Sequence, residues 1–148
     1  MDLRGDIGVH GFWVKGKGTI FDVRVTNTDQ PSQRGTAPDK VLARHEREKK
    51  DKYGEVCMER QRTFTPLVFS VDGMMGKEAQ AAVKRLASLL ARKWSEEYSD
   101  VCGYVRARLA LALVRATGRC LRAERNPLLR ADPLHWSGGD GISLVTRE

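Results

Sequence analysis

The sequence has only three cysteines, Cys57, Cys102 and Cys120, and no Cys-x-x-Cys pair. An odd number of widely spaced cysteines excludes a disulfide framework and a cysteine-based zinc site, and it predicts reduced thiols in an intracellular protein. Long apolar runs are also missing. The longest, residues 109–114, has six residues, whereas a membrane-spanning helix needs about 20. The first six residues carry no apolar segment, so we expect neither a secretory signal nor a membrane partner.

Basic charge is what the sequence has in excess. It contains 26 Lys and Arg against 19 Asp and Glu, a formal net charge of +7. Hydrophobic residues make up 41% of the 148 residues, enough for one domain with a buried core and too much for a disordered chain. A basic excess of this size makes a polyanion the expected partner.

The order of predicted elements indicates an α/β fold with a small mixed sheet. Alternating residues predict a strand near Ile7 and Val9 and a second strand over 19–26, joined by a turn over 14–18 into a hairpin. A helix over 36–62, a strand over 65–71 and helices over 76–94 and 99–121 follow. We therefore predict a hairpin-containing mixed sheet flanked by three helices in a domain of residues 1–125, and a loose tail of residues 126–148.

Asp22 and Arg24 form the first pattern that bears on chemistry. Residues two apart in a strand project from the same face, so these side chains should share one face while Phe21, Val23 and Val25 turn the other toward the core. A carboxylate beside a cation suits a metal-dependent phosphodiesterase, in which the carboxylate holds a divalent cation and the base stabilises charge or orients water. The alternative is a solvent-facing ion pair on an exposed sheet.

Asp6, in the preceding strand segment, is the candidate for a second carboxylate. Two carboxylates, completed by waters and phosphate oxygens, suffice for a Mg²⁺ shell. A turn centred near Gly16 predicts a different register, however, in which His10 and not Asp6 lies opposite Asp22. A β-bulge among the glycines would be needed to bring the two aspartates together.

The helix predicted over residues 36–62 has two lysines on the face expected to be buried. At about 100° per residue, that face carries Leu42, His45, Lys49, Lys52, Tyr53 and Val56. A buried ammonium is unfavourable unless an anion meets it, and Asp22 is the expected partner because a helix after a hairpin packs against it. The alternative is that the lysine stems cover apolar surface while the ammonium groups reach water. His45 is expected to be a hydrogen-bonded core residue rather than a ligand.

Four motifs occur in a fixed order along the chain. They are Gly5-Asp6-Ile7, Asp22-Val23-Arg24-Val25, Lys49-x-x-Lys52-Tyr53 and Phe64-x-Pro66-x-Val68-x-Ser70-x-x-Gly73. Together they resemble the restriction-like endonuclease domain of non-LTR retrotransposons, a branch of the PD-(D/E)XK nuclease superfamily. The resemblance covers roughly residues 4–122. The sequence is particularly similar to the C-terminal segment of reverse-transcriptase-like polyproteins.

The resemblance implies a DNA endonuclease that uses Mg²⁺ or Mn²⁺ and whose nick opens a 3′ end that primes reverse transcription. It implies Asp6 and Asp22 as metal ligands and catalytic residues, and Lys49 or Lys52 as the catalytic lysine. The implied partners are DNA and an upstream reverse transcriptase in the parent polyprotein. The implied location is the nucleus.

The sequence departs from the family pattern at two positions and in its extent. Gly5 stands where the family has proline, and Arg24 stands at the usual lysine position. Arginine stays protonated, so it cannot relay a proton, although it can hold a phosphate. The family core has a helix and a strand before its first aspartate, and the retrotransposon forms carry an upstream Cys/His zinc knuckle. Neither precedes Asp6 here, and we therefore expect a domain truncated at its N-terminus.

The last predicted helix carries Arg108, Arg115, Arg119 and Arg122 within an arc of about 60°. Such an arginine stripe suits a phosphate backbone through bidentate contacts and counterion release, and its alternative is a solvated helix face. The rest of this helix is mostly apolar, so we expect it to be largely buried and to hold the stripe rigidly. Trp94 and Tyr98 are expected in the core.

Three functions are compatible with these patterns. The first is a nuclease in which Asp6 and Asp22 bind Mg²⁺, Lys49 or Lys52 orients or activates water, and Arg24 and the arginine stripe hold DNA. The second is a catalytically inactive nucleic-acid-binding remnant of the same fold. The third is a structural or oligomerisation domain that uses an exposed sheet edge or an apolar helix as its interface.

Overall fold

The computed structural model describes residues 5–125, and the predicted tail of residues 126–148 lies outside that range. The chain divides into two compact units, residues 1–111 and 112–148. The elements are β1 (Ile7–His10), β2 (Gly18–Thr26), a short 3₁₀ helix (Pro31–Gln33), α1 (Pro38–Glu59), β3 (Arg62–Ser70), α2 (Lys77–Trp94) and α3 (Tyr98–Arg125). The unit boundary falls within α3, so the first unit holds all the described strands.

The three strands form one mixed sheet in the order β1-β2-β3. β1 runs antiparallel to β2, and β2 runs parallel to β3. Parallel neighbours need a crossover connection, and α1 provides it. The predicted α/β class, with a small mixed sheet, a hairpin and three helices, is confirmed. The finer prediction of a partial restriction-endonuclease-like core stays a prediction.

The hairpin turn is centred near Val14 and not near Gly16. The amide of Gly11 donates to the carbonyl of Lys17 at 2.8 Å, and the amide of Lys17 donates to the carbonyl of Val14 at 3.1 Å. Gly11 and Gly16 have φ values of 73° and 82°, which glycine adopts at no steric cost. Both glycines therefore belong to the turn, and the strands pair in a register different from the predicted one.

Ile7 lies opposite Phe21 in the hairpin. The predicted pairing of His10 with Asp22 is therefore wrong, because the turn begins at Gly11, three residues before the predicted turn over 14–18. The same register, continued by one residue, sets Asp6 opposite Asp22 without a bulge. The amide of Asp6 still donates to the carbonyl of Phe21 at 3.0 Å, so the pairing reaches Asp6.

α2 covers one face of the sheet with an apolar cluster. Phe21 and Phe12 are buried there with Ala82, and Leu67 and Leu89 pack against them. The rings of Phe12 and Phe21 meet edge to face with centroids 4.9 Å apart, an arrangement that aromatic pairs prefer. Phe12 enters this core from the hairpin turn, so the turn contributes to the buried interior.

The prediction that Phe21, Val23 and Val25 face the core is right only for Phe21. Val23 is 39% exposed and Val25 is 44% exposed, because the buried cluster on that side does not extend to them. Asp22 is only 7% exposed, since its side of the sheet is covered by α1. The charged side of β2 is thus buried more deeply at Asp22 than the apolar side is at Val23.

A second cluster joins α2 to the start of α3. Its buried members are Val83, Ala87, Ala91, Val101, Cys102 and Val105. The cluster lies away from the junction between the two helices. Trp94 is 46% exposed and Tyr98 is 45% exposed, which contradicts the expectation that both lie in the core.

α3 is not the largely buried helix that its apolar composition predicted. Its buried contacts with α2 involve Val101, Cys102 and Val105, with Leu109 partly covered. Leu111, Val114 and Leu121 are between 50% and 68% exposed. No helix within residues 5–125 combines the length and apolar character that crossing a membrane requires.

Candidate functional site

Asp22 and Lys49 form a close ion pair between β2 and α1. The Nζ atom of Lys49 lies 2.5 Å from Oδ2 of Asp22. The side chain of Asp22 is 10% exposed and that of Lys49 is 22% exposed, so both charges are largely withdrawn from water. The predicted contact between a lysine on the buried helix face and Asp22 is confirmed, and it places a carboxylate and an ammonium together on the α1 side of the sheet.

Asp6 directly precedes β1 of the hairpin and lies opposite Asp22 of β2. Its Oδ2 atom accepts a hydrogen bond from the amide of Val23 at 2.7 Å. In an antiparallel pair, opposing residues project to the same face, so the register brings both aspartates to the α1 side. Asp6 is exposed, whereas Asp22 is buried. One carboxylate is therefore accessible and the other is fixed.

Arg24 is engaged with Glu48 of α1. Its Nη1 atom lies 3.2 Å from Oε2 of Glu48, and the Nδ1 atom of His45 lies 3.1 Å from the same oxygen. Arg24 thus shares the α1 side of the sheet with Asp22 but has a carboxylate partner of its own. The interpretation of Asp22 and Arg24 as a pair with each other is not supported, because each pairs with a different residue of α1.

The contacts of Glu48 lower the pKa of its carboxyl group below the usual value. The hydrogen bond with His45 is the largest cause, and the nearby charges of His45 and Arg24 act in the same direction. Glu48 itself is exposed, so water screens these interactions. The carboxylate bridges the strand and the helix through these contacts.

Lys52 lies on the rim of the site. It is exposed, and its Nζ atom is 5.0 Å from the centroid of the Tyr53 ring. The Nζ atom of Lys49 is 5.6 Å from the same centroid, both within the range of cation–π attraction. Tyr53 in turn packs against Phe64 of β3, with centroids 5.5 Å apart. Of the two candidate lysines, Lys49 contacts Asp22, and Lys52 has its ammonium in water.

Two buried polar atoms on this side of the molecule have no hydrogen-bond partner among residues 5–125. They are Oδ2 of Asp22 and Nε2 of His45. Lys49 lies close to Asp22 Oδ2, but the contact does not have hydrogen-bond geometry. The Lys49 ammonium nevertheless compensates the charge on this oxygen, so a cation at Asp22 would have to displace Lys49 or share the carboxylate with it.

The donor set fits Mg²⁺ only if the substrate completes the shell. The described part of the chain has no group of three or more His, Cys, Asp or Glu side chains placed to hold a metal ion. Mg²⁺ is commonly bound through one or two carboxylates plus waters and phosphate oxygens, and Asp6 and Asp22 supply that number. These two residues could hold a cation together with a phosphate, but not in a cage made by protein alone.

Sequence reasoning missed Glu48 and Glu46. Glu48 lies three residues after His45, at the edge of the predicted buried face, and this spacing could have indicated it. Glu46 is 7% exposed, and its Oε1 atom accepts from the amide of Glu78 at 2.9 Å at the start of α2. Burial raises the pKa of Glu46, although the hydrogen bond from Glu78 opposes that effect. Gly76, at the N-cap of α2, provides no capping side chain. This lack was the signal in the sequence that a residue from elsewhere caps the helix.

The four arginines of the predicted stripe all lie on α3 and are exposed. Arg108 belongs to the first compact unit, whereas Arg115, Arg119 and Arg122 belong to the second. Their exposure leaves them free to contact an anion. The expectation of a rigid apolar support is wrong, because Leu111, Val114 and Leu121 are exposed as well, and Leu109 and Leu113 are only partly buried.

Comparison of the chain with known proteins finds no family model, no curated protein and no solved structure that matches it. The resemblance to restriction-like endonucleases therefore stays a prediction that depends on four short motifs. The structure places those motifs on the hairpin, on α1 and on β3 with the turn that follows it.

Proposed function

We propose that this chain is a Mg²⁺- or Mn²⁺-dependent DNA endonuclease. The observation that carries the proposal is the buried contact between Asp22 and Lys49, with Asp6 set opposite Asp22 by the strand register. A nuclease that cleaves phosphodiesters needs carboxylates for a hard cation and a basic group near the attacking water. These three residues supply both from neighbouring elements.

Asp6 and Asp22 would hold the divalent cation jointly with phosphate oxygens of the substrate. When bound, the cation would stabilise the negative charge that develops on the phosphate oxygens. Lys49 would then leave Asp22 Oδ2 and orient the water or a phosphate oxygen. Lys52 is the second choice, because it is exposed and its ammonium lies beside the same Tyr53 ring.

The reaction would be hydrolysis of one strand. A water oxygen bonds to phosphorus, the bond between phosphorus and the 3′ oxygen breaks, and the leaving oxygen takes a proton. The products are a 5′ phosphate and a 3′ hydroxyl. A free 3′ hydroxyl can be extended by a polymerase, and this agrees with the retrotransposon origin, the reverse-transcriptase partner and the nuclear location that the motifs imply.

Arg24 and the α3 arginines are proposed to hold DNA to different extents. Arg108, Arg115, Arg119 and Arg122 are exposed on α3 and suit phosphate contacts. Arg24 is bound to Glu48 and must break that contact before it can reach a phosphate. We therefore assign Arg24 a smaller share of DNA binding than the sequence pattern suggested.

A second candidate is a nucleic-acid-binding module without catalysis. Two ion pairs favour this candidate. Lys49 contacts the Asp22 oxygen that a cation would need, and Arg24 is paired with Glu48. In that case the ion pairs would hold α1 on the sheet, while the net charge of +7 would still attract nucleic acid.

A plasmid assay separates the two candidates. Supercoiled DNA is incubated with the protein and Mg²⁺ or Mn²⁺, and the nicked circle is measured for wild type, Asp22→Asn and Asp51→Asn. Asp51 is an exposed carboxylate on the outer side of α1, so Asp51→Asn is the matched control. The nuclease proposal predicts nicking that Asp22→Asn abolishes and Asp51→Asn retains. Nicking that survives in Asp22→Asn contradicts the mechanism, and binding without nicking supports the second candidate.

A further inference from the structure

A basic cleft lies where α1 ends and β3 begins. It has a volume of about 530 Å³, and Lys17 of the hairpin and Arg62 of β3 are among the residues that line it. A second cavity of about 430 Å³ adjoins it, shares Gln61 and Arg62, and is lined by Arg60 and His10 as well. No aspartate or glutamate lines either cavity. The two cavities together are called the basic cleft, and Lys17, Arg60 and Arg62 are the cations that define it.

The cations of the basic cleft are exposed and uncompensated. Lys17, Arg60 and Arg62 are all exposed, and none of them forms an ion pair with another described residue, whereas Lys50 on the same cavity pairs with Glu78. Burial raises the pKa of the nearby Cys57 thiol, and the positive charges of Arg62 and Arg60 oppose that rise. Positive charge is therefore concentrated at this end of the sheet.

An aromatic pair connects the basic cleft with the Asp22–Lys49 ion pair. Phe64 lines the larger cavity and packs against Tyr53, which lies within cation–π distance of Lys49. Both rings are half-buried. Grooves that bind nucleic-acid strands combine cations along the phosphate backbone with aromatic rings that can contact the bases.

The distance between the basic cleft and Asp22 also suits a single nucleic-acid strand that contacts both. Gly18 is paired with Arg62 at the cleft, and Asp22 lies four residues further along β2. Four residues of a strand span about 13 Å, close to the rise of about four nucleotides of one B-form strand. A single strand could therefore have phosphates in the cleft and a phosphate at Asp22.

We infer that the basic cleft binds the phosphate backbone of a nucleic-acid strand a few nucleotides from Asp22. The inference rests on the proposed function, since it takes nucleic acid as the partner, but it concerns binding and not cleavage. Lys17, Arg60 and Arg62 contact phosphates, and Phe64 with Tyr53 offers an apolar surface between the cleft and Lys49.

Fluorescence anisotropy with a labelled single-stranded 12-mer, in EDTA so that cleavage cannot occur, tests this inference on the full chain. The triple variant Lys17→Ala, Arg60→Ala, Arg62→Ala is compared with a control that loses the same charge elsewhere, Arg47→Ala, Lys84→Ala, Lys93→Ala. All three control residues are exposed and outside both cavities. Circular dichroism melts verify that both variants are folded.

The expected result is a specific loss in the cleft variant. Each phosphate contact contributes about −0.7 to the slope of log K against log salt for single strands, so losing three contacts should make the slope shallower by about two. At low salt, Kd should rise on the order of tenfold or more. The control triple should keep a slope within about half a unit of wild type, as expected if its residues touch no phosphate.

Three results would overturn the inference: equal slopes for both triples, no binding by wild type at low salt, or displacement of the oligonucleotide by polyglutamate as readily as by unlabelled DNA. The last would indicate that the cleft takes an acidic polypeptide. None of these results measures nicking in Mg²⁺. The inference and the nuclease proposal can therefore fail separately.

Discussion

The two faces of the sheet bury neighbouring residues of β2 by opposite chemistry. Phe21 is 4% exposed and Asp22 is 7% exposed, so the two are almost equally withdrawn from water. Phe21 meets Phe12 and Ala82 on the α2 side, whereas Asp22 meets Lys49 on the α1 side. A buried ring stabilises the fold through its apolar area, but a buried carboxylate requires a partner to offset desolvation.

The difference separates an apolar contribution to stability from the charged residues on which the proposed function depends. The α2 side buries Phe12, Phe21 and Ala82, and its buried threonines, Thr19 and Thr65, are hydrogen-bonded to other side chains. The α1 side instead retains Asp22, Lys49 and His45, and Nε2 of His45 has no hydrogen-bond partner among residues 5–125. Since ion pairs of this kind are often no more stable than apolar replacements, we propose that the charged residues of the α1 side form a site. The fully buried Leu42 and Val68 on the same side contribute to the core together with the α2 side.

The largest effect is expected on the apolar face. Phe21→Ala should lower the free energy of unfolding by about 3–5 kcal/mol, because it removes a buried ring and leaves a cavity between Phe12 and Ala82. Val23→Ala, on the same side of β2 but 39% exposed, should lower it by less than about 1 kcal/mol. Urea denaturation measures both. Similar losses for the two variants would contradict the assigned core.

The next effect is expected at the charged pair. Lys49→Met should destabilise the protein by about 2 kcal/mol at pH 7, because it leaves the buried Asp22 carboxylate without its counter-charge. Asp22→Asn combined with Lys49→Met should recover most of that loss. A double-mutant cycle from denaturation curves should therefore give a coupling of about 1–3 kcal/mol. Additive effects would show that the pair does not interact in solution.

A smaller effect is expected where Glu46 caps α2. Glu46→Ala should cost about 1 kcal/mol, since the amide of Glu78 loses its acceptor. Glu46→Gln keeps an acceptor oxygen and removes the charge, so it should be close to neutral. Gly76→Ala should be destabilising too, because a Cβ there would overlap the Glu46 carboxylate.

The raised pKa of Glu46 also predicts a pH dependence of stability. Burial makes the folded state hold the Glu46 proton more tightly than the unfolded state, whose value is near 4.5. Wild type should therefore lose stability as pH rises from 4.5 through the raised folded value. Glu46→Gln should lack that part of the slope. Denaturation midpoints across this range measure it, and an identical slope in both proteins would contradict the assignment.

The smallest effect is expected at Arg24. Its contact with Glu48 is exposed, so Arg24→Ala should change stability by less than about 1 kcal/mol. The pKa of Glu48 should rise only part of the way toward its usual value, because the hydrogen bond from His45 is the larger cause of its lowering. NMR titration of the Glu48 carboxyl group measures the shift. A full return to the usual value would contradict that order of causes.

The sequence predicted the helix-to-strand contact better than the strand-to-strand register. A helix has a fixed angle per residue, so Lys49 could be placed on the buried face and matched to Asp22 without knowing any loop. The hairpin register depends on where the turn lies, and Gly11 and Gly16 offered more than one position for it. The resulting error set His10 opposite Asp22 in place of Asp6.

Burial along β2 and α3 could not be read from residue type alone. Val23 and Val25 are as apolar as core residues, but the helix that covers their side ends its buried contacts at Phe21. Leu111 is exposed for a similar reason, since the buried contacts between α3 and α2 lie in the first turns of α3. Coverage is a property of tertiary packing, and periodicity gives only the face that is available for it.

The most direct test of the Asp22 site is its affinity for a paramagnetic cation beside DNA. Mn²⁺ is added in small amounts to ¹⁵N-labelled protein with a non-cleavable phosphorothioate oligonucleotide, and line broadening of each backbone amide is recorded. We expect broadening to be strongest at Asp6, Asp22 and Val23 and to disappear in Asp22→Asn. Broadening centred elsewhere, or unchanged in Asp22→Asn, would contradict the claim that this face holds a cation and a phosphate.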